Sequence, residues 1–295
     1  MKKFAQKVAT IGVFDGVHVG HRFLLDKVRE AAAARGMSSL AVTFDPAPAE
    51  FFQRSASGLL LTANERRERL LAAGMDDVEV ITFDREVAGM TATQFMVLLR
   101  KRFGVHVLVM GYDHRFGCEQ RSDAAFYDTA AKEAGLEVLH VPACGNVSST
   151  LIREWLLRGD VEEAKTLLGY PYPLQGTVVA GDGRGRTLGF PTANLAIAPE
   201  KLIPATGVYA VSINLTDPQV YRGMMNIGLC PTFGGRTERR IEVHILDFDA
   251  DIYGQKLTAR LLHRLRDERR FPSVGALVSQ LEADAARIRG LTFKV

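Results

Sequence analysis

The chain has 295 residues, 47% of them hydrophobic and 24% charged, which suits two globular domains of ordinary size. Its 37 basic and 34 acidic residues leave a net charge of +3 with no basic stripe interleaved with aromatics, which argues against a nucleic-acid partner. Cys118, Cys144 and Cys230 form neither a CxxC pair nor a disulfide ladder, and no apolar run approaches the roughly 20 residues of a membrane span, so a reduced, cytoplasmic protein with no membrane partner is expected.

The opening MKKFAQKVATIGVF has too short an apolar stretch for a signal peptide, and VATIGVF (8–14) reads as a first strand. An Asp15-Gly16 turn then leads into an amphipathic helix over 21–35, ended by Gly36. A second strand (38–44) stops at Asp45-Pro46, and a helix over 63–74 follows, with Thr62 as N-cap and Gly74 as C-cap. Strand 78–83, a helix over 91–104 capped by Thr91, strand 105–111, a helix over 122–135 and strand 136–142 continue the alternation. Such a pattern predicts a parallel sheet covered on both faces, with ligands at the carboxyl ends of its strands. The turns GVFDG, TFDP, MGYDHRFG and PACGNVSST all fall at such ends.

The pattern changes near residue 170. Residues 149–169 read as two short helices split at Gly159-Asp160, and YPYPL (170–174) reads as a linker. The runs QGTVVAG, GVYAVSINL, VYRGMMNIG, RIEVHILDF and KLTARLLHRLR then have the spacing of a small antiparallel barrel, and 273–290 reads as a helix capped by Ser273. The expected fold class is therefore α/β plus β, with domains at 1–169 and 170–295.

GVFDGVHVGH (12–21) is the most informative stretch. His18 and His21, with Gly20 between them, sit where a strand hands over to a helix N-terminus. Free backbone N–H groups and the helix dipole favour anions there, and two imidazoles add donors that follow charge as it builds on a phosphate. This is the pattern of enzymes that act at the α-phosphate of a nucleoside triphosphate, although four letters alone also describe an ordinary histidine pair. Asp113 and Arg115 follow another strand end. Ser148, Ser149, Thr150 and Arg153 stand at a helix start, where capping and phosphate binding both use free N–H groups.

In the second half, GDGRGRTLGFPTANL is the densest motif. Gly181, Gly183, Gly185 and Gly189 allow close backbone approach to an anion, and Arg184 and Arg186 bring charge; no GKS or GKT follows, so it is not a Walker loop. Thr192 and Asn194, one residue apart, offer hard oxygens suited to Mg²⁺ bound with ATP. Strand alternation puts Glu242 and His244 on one side of RIEVHILDF, where a plain solvated glutamate is the common alternative.

GVFDGVHVGH, TFDPAP, GYDHRFG and VSSTLIR, followed by GRGRTLGFPTAN, PATGVYAV, NIGLCPTF, EVHILDF and LRDERRF, resemble the bacterial bifunctional riboflavin kinase/FAD synthetase family over essentially the whole chain. The resemblance implies a Rossmann-like nucleotidyltransferase domain with a parallel sheet, then a small antiparallel β-barrel riboflavin kinase domain with a C-terminal helix. It implies ATP-dependent phosphorylation of riboflavin to FMN and adenylylation of FMN to FAD, with Mg²⁺ as cofactor and small molecules as the only partners; weak self-association is left open. Carried over by motif, His18 and His21 contact ATP phosphates within a site shaped by Gly12, Phe14, Asp15, Gly16 and Gly20. Ser149, Thr150 and Arg153 close on the triphosphate, while Asp45, Pro46, Asp113 and Arg115 line the flavin or nucleotide pocket. In the kinase, Gly181, Gly183, Gly185, Arg186 and Gly189 serve ATP, Thr192 and Asn194 hold Mg²⁺–ATP, Glu242 is the general base, and Arg266 and Glu268 lie at the flavin. Ala47 stands where the family often has His, and His114 where Phe is more usual. These departures motivate an alternative, a riboflavin kinase whose adenylyltransferase-like half no longer makes FAD. A nucleotidyltransferase for another phosphorylated acceptor is a further alternative, opposed by the intact PTAN and Glu242.

Overall fold

Apolar strands and amphipathic helices alternate through the first half of the computed structural model, which describes residues 6–53, 58–112, 114–119, 121, 123–181, 183–231 and 237–292. β1 (Lys7–Ile11) leads through a turn into α1 (Val19–Arg35), capped by His18 and ended by left-handed Gly36. β2 (Ser38–Asp45), the one-turn α2 (Pro48–Phe51) and α3 (Ala63–Ala72) follow, α3 opening on a Thr62–Glu65 capping box. β3 (Asp77–Thr82), α4 (Arg85–Gly89), α5 (Ala92–Phe103), β4 (Val105–Gly111), α6 (Ala124–Ala134) and β5 (Glu137–Val141) complete the sheet unit. All strand pairs are parallel, in the order β3-β2-β1-β4-β5.

Side-chain alternation explains the two helical layers. Leu40, Val42 and Phe44 of β2 join Leu108 and Met110 of β4 against α5 and α6. Ala41, Val107 and Val109, one residue out of phase, face α1 and α3 instead. The sequence reading misses α2 and α4, which are too short to show a helical period, and it starts α1 two residues late because His18 caps it.

The second half begins with α7 (Ser149–Arg158) and α8 (Val161–Leu168). Strands β6 (Pro173–Val179), β7 (Ala193–Ile197), β8 (Gly207–Asn214), β9 (Val220–Pro231), β10 (Thr237–Ile245) and β11 (Lys256–Arg266) form a closed antiparallel barrel in the order β10-β7-β6-β11-β8-β9. The short α9 (Arg184–Thr187) lies between β6 and β7, and α10 (Val274–Gly290) closes the chain with Ser273 as its cap. The sequence reading omits β7, whose ANLAI follows a glycine- and proline-rich stretch that reads as loop. Without it the barrel cannot close, since β7 joins β6 to β10. The chain forms two compact units, Met1–Ser149 and Thr150–Val295. α8 packs on β11, with Glu162 bonded to His263 at 2.9 Å.

A largely buried ion pair anchors α10 to the barrel. Arg266 Nε donates to Asp284 Oδ2 at 2.8 Å, and Gln280 donates to the other carboxylate oxygen at 2.7 Å. The two charged side chains are only 16% and 6% exposed. Asp284→Ala is therefore expected to destabilise this unit by about 3–5 kcal/mol, because it strands a buried guanidinium. A lower urea midpoint for loss of the unit's fold would register it.

Candidate active sites

In a sheet ordered 3-2-1-4-5, the connections leaving β1 and β4 diverge, and a crevice opens at their carboxyl ends. The β1 exit is a strained turn. Phe14 and Val17 take positive φ values of 49° and 38°, beside Gly16 at 86°. A left-handed non-glycine residue costs about 1–3 kcal/mol, and Val17 is β-branched as well. Burial of both side chains, with Leu24, Leu25 and Val28, offsets that cost.

The turn delivers His18 to the N-cap of α1. His18 Nδ1 accepts the His21 N–H at 3.3 Å, so a neutral His18 carries its proton on Nε2. The two imidazoles stack with centroids 3.6 Å apart and planes 16° apart, and Phe14 meets His21 edge-on. A Cβ at Gly20 would stand 3.3 Å from the His18 ring, so glycine leaves the ring room to lie on the first turn. His21 Nδ1 is buried without a hydrogen-bond partner. Burial, and then the neighbouring His18 and His114, hold the His21 pKa well below the usual histidine range, so the ring is neutral at pH 7.

Asp15 serves the turn itself. Its carboxylate oxygens accept the Leu60 and Leu61 N–H groups, each at 3.0 Å, and its carbonyl accepts the Ser149 hydroxyl at 2.8 Å. Gly12 continues the ladder by donating to Val42 O. Thr150 and Arg153 follow on α7 in the second compact unit, exposed and half-buried respectively.

At the β4 exit a cavity of about 390 Å³ is lined by Met110, Gly111, Tyr112, His114, Tyr127 and His140, among others. His114 is half-buried, and its Nδ1 accepts the Gly111 N–H at 3.2 Å. It thus has a structural bond and an electrostatic link to His21, which its place in GYDHRFG does not reveal. The Tyr127 hydroxyl accepts the Phe116 N–H at 2.9 Å and lies 3.0 Å from the Phe116 and Arg121 carbonyls, which braces the loop. Arg115 is exposed, and Asp113 lies outside the described residues.

At the β2 exit, Asp45 and Pro46 are exposed and joined by a cis peptide bond. Ala47 is buried, and its N–H donates to Glu50 at 2.9 Å. Phe44, Phe51 and Phe52 each meet Phe83 edge to face, and Phe52 leaves 48% of its surface exposed. This open aromatic edge, carried on the unanticipated α2, escapes the sequence reading.

The barrel gathers a second set of residues. Glu242 pairs with Asn194 of β7 on one side and with Asn226 of β9 on the other. Directly opposed residues share a face, with Cβ atoms about 4.5–5.5 Å apart, so Asn194, Glu242 and Asn226 form one row across three strands. Arg240 Nη1 lies 3.8 Å from Glu242 Oε1. Asn226 Nδ2 and Glu268 Oε1 lie 3.1 and 2.5 Å from where a Cβ at Gly228 would stand, so both approach the β9 backbone there. The sequence reading takes NIG as strand only, because Asn226 meets Glu242 through a register that spacing does not encode.

The glycine-rich stretch meets this row. A Cβ at Gly181 would overlap the Asn194 carboxamide, which explains a glycine at that approach. His244, two residues from Glu242, donates from Nδ1 to Pro191 O at 2.8 Å and packs on Phe190, fixing the start of β7. Burial lowers its pKa, so it too is neutral at pH 7. Gly183, Arg186 and Gly189 are exposed around α9, Gly185 and Thr192 are half-buried, and the Arg184 side chain is outside the described ones. Arg266 is committed to Asp284, and Glu268 is exposed. Among the described residues, no group of three or more His, Cys, Asp or Glu side chains could hold a metal ion. The Thr192 hydroxyl and Asn194 carboxamide remain a hard oxygen pair of the kind Mg²⁺ takes when a nucleotide supplies its other ligands.

Two family models match the chain, FAD synthetase over residues 1–152 and riboflavin kinase over 168–292. Proteins named bifunctional riboflavin kinase/FMN adenylyltransferase are similar along nearly its full length. The Pseudomonas fluorescens protein is 37% identical over 96% of this chain and 92% of its own, and that of Escherichia coli (strain K12) 37% identical over 97% and 93%. A solved structure from Streptococcus pneumoniae, described as a macrolide-efflux protein, superposes with a TM-score of 0.87 at 35% identity, over 98% of this chain and 95% of that one.

Proposed function

Because the chain belongs to the bifunctional riboflavin kinase/FMN adenylyltransferase family, which phosphorylates riboflavin to FMN and adenylylates FMN to FAD, we propose that the two steps run at separate sites. Residues 170–295 carry the first, around the row Asn194–Glu242–Asn226. Residues 1–169 carry the second, at the exits of β1, β2 and β4. ATP, riboflavin and FMN are the substrates of the two reactions. No nucleic acid takes part, and the work is cytoplasmic, consistent with the exposed free thiols of Cys118 and Cys144. An efflux role is not proposed, since both sets of flavin motifs are present and no described helix is long and apolar enough to cross a membrane.

For adenylylation, the carrying observation is the stacked His18–His21 pair on the α1 N-terminus. An FMN phosphate oxygen attacks the α-phosphorus of ATP, a P–O bond forms there, and pyrophosphate leaves. The imidazoles and the N-terminal N–H groups of α1 stabilise the charge that builds on the phosphates. The adenine is placed in the cavity at the β4 exit and the isoalloxazine at the aromatic edge beside Asp45 and Pro46. For phosphorylation, Glu242 takes the proton from the riboflavin 5′-hydroxyl as that oxygen attacks the γ-phosphorus and ADP leaves. Thr192 and Asn194 would hold Mg²⁺, which would supply neutralisation of charge on the phosphates.

Two experiments test these placements. Phosphates brought against His21 raise its lowered pKa, so ATP uptake draws in a proton, and by linkage ATP binds more tightly as pH falls. The KM for ATP in FAD formation is expected to drop severalfold from pH 8 to pH 6, and His21→Asn should flatten that profile. Thr192→Val is expected to raise the Mg²⁺ needed for half-maximal FMN formation by about 10–100-fold, the range that even outer-shell partners of a metal command. An unaltered Mg²⁺ dependence would remove Thr192 from the metal.

A further inference from the structure

Helix α3 carries Arg66 one turn after Thr62, on the same face as Leu70, and both residues are fully buried. A guanidinium stays charged inside a protein, so burying it is costly unless partners surround it. Nη2 donates to the Phe44 carbonyl at 2.5 Å. Nε and Nη1, equally buried, have no hydrogen-bond partner. The anions that favour its charge are Asp15, Asp45 and Glu50, against the opposing effect of burial.

Phe44 and these carboxylates all belong to strand exits. Phe44 and Asp45 end β2, and Glu50 on α2 closes back onto the Ala47 N–H. Asp15 lies in the β1 exit, three residues before His18, and binds the Leu60 and Leu61 N–H groups just ahead of α3. Arg66 thus ties the β2 exit to α3, while the Asp15 carboxylate ties the β1 exit to the residues just ahead of the same helix.

We propose that Arg66 is a positioning residue for the adenylyl acceptor: it fixes the Asp45–Pro46 exit, which takes FMN, relative to the His18–His21 turn, which takes ATP. The proposal rests on that placement of FMN. Displacing the exit by an ångström misaligns the FMN phosphate with the α-phosphorus while leaving the nucleotide contacts in place.

The test is steady-state FAD formation from supplied FMN and ATP, with FMN formation from riboflavin measured on the same preparations. Arg66→Met is expected to lower kcat/KM for FMN about 100-fold, with the KM for ATP and the rate of FMN formation kept within about twofold. Arg66→Lys, which keeps the charge and can still reach Phe44 O, should recover most of the loss. An unchanged FMN dependence overturns the proposal, as does a KM for ATP that rises as much as that for FMN. If Arg66→Met fails to fold, Arg66→Gln carries the same comparison, and failure of both to fold assigns Arg66 to stability alone and overturns it too. Wild-type protein that makes no FAD from FMN would instead defeat the reading of the whole unit.

Discussion

Glu242→Gln is expected to lower FMN formation from riboflavin by about 10²–10⁴-fold, the range that a positioned general base supplies. Glutamine keeps the shape and cannot take the proton of the 5′-hydroxyl. Glu242 is suited to that task by its surroundings. Its strand neighbours Ile241 and Val243 are buried, while its own side chain remains 28% exposed, within reach of solvent and substrate. Asn194 and Asn226 flank it across the sheet and are neutral, so neither competes for the proton. FAD formation from supplied FMN should continue at the wild-type rate, because no residue of the β1, β2 or β4 exits is altered. Loss of both reactions would mean that the substitution acted through folding rather than chemistry.

His21→Ala is expected to reduce the kcat of FAD formation by about 10²–10³-fold, the typical cost of removing one donor from a site that stabilises developing charge. The ring stacks on His18, meets Phe14 edge-on and has an unpaired buried Nδ1. Alanine removes the donor and lets His18 move as well, so the loss should reach the upper part of that range. FMN formation should be untouched, and FMN should accumulate from riboflavin. The same assay bears on the departures at Ala47 and His114. Ala47 leaves its backbone N–H bonded to Glu50, and His114 bonds Gly111 while sitting near His21. Both local structures have their hydrogen bonds made.

Much of the fold can be read from the sequence, for reasons the structure makes plain. The inner strands β1, β2 and β4 are buried on both faces and so appear as continuous apolar runs, and Thr62, Thr91 and Ser273 mark helix starts by their hydroxyls. What escapes reading lacks a local signal. β7 hides behind a glycine- and proline-rich loop, and α2 is a single turn. The residues proposed for the two sites divide in the same way. His18, His21, Thr192, Asn194 and Glu242 carry chemistry in their letters, whereas Asn226 gains its place only from strand register. Asp15 and Arg266 belong to legible motifs, yet their charged groups are bound to Leu60, Leu61 and Asp284, which sequence spacing cannot show. Arg66 left a trace: an arginine four residues before Leu70, on the apolar face of its helix.

In the reading proposed above, one chain holds two independent sites linked by FMN, the product of one and the substrate of the other. The most direct measurement mixes Glu242→Gln with His21→Ala and supplies riboflavin, ATP and Mg²⁺, with flavins separated over time. Either variant alone should make FAD from riboflavin at least about 100-fold more slowly than wild type, while the mixture should make it readily after a lag in which FMN builds up. A mixture that forms FMN and no FAD, with Glu242→Gln still active on added FMN, would contradict the two-site reading, as would FAD made from riboflavin by Glu242→Gln alone at the wild-type rate.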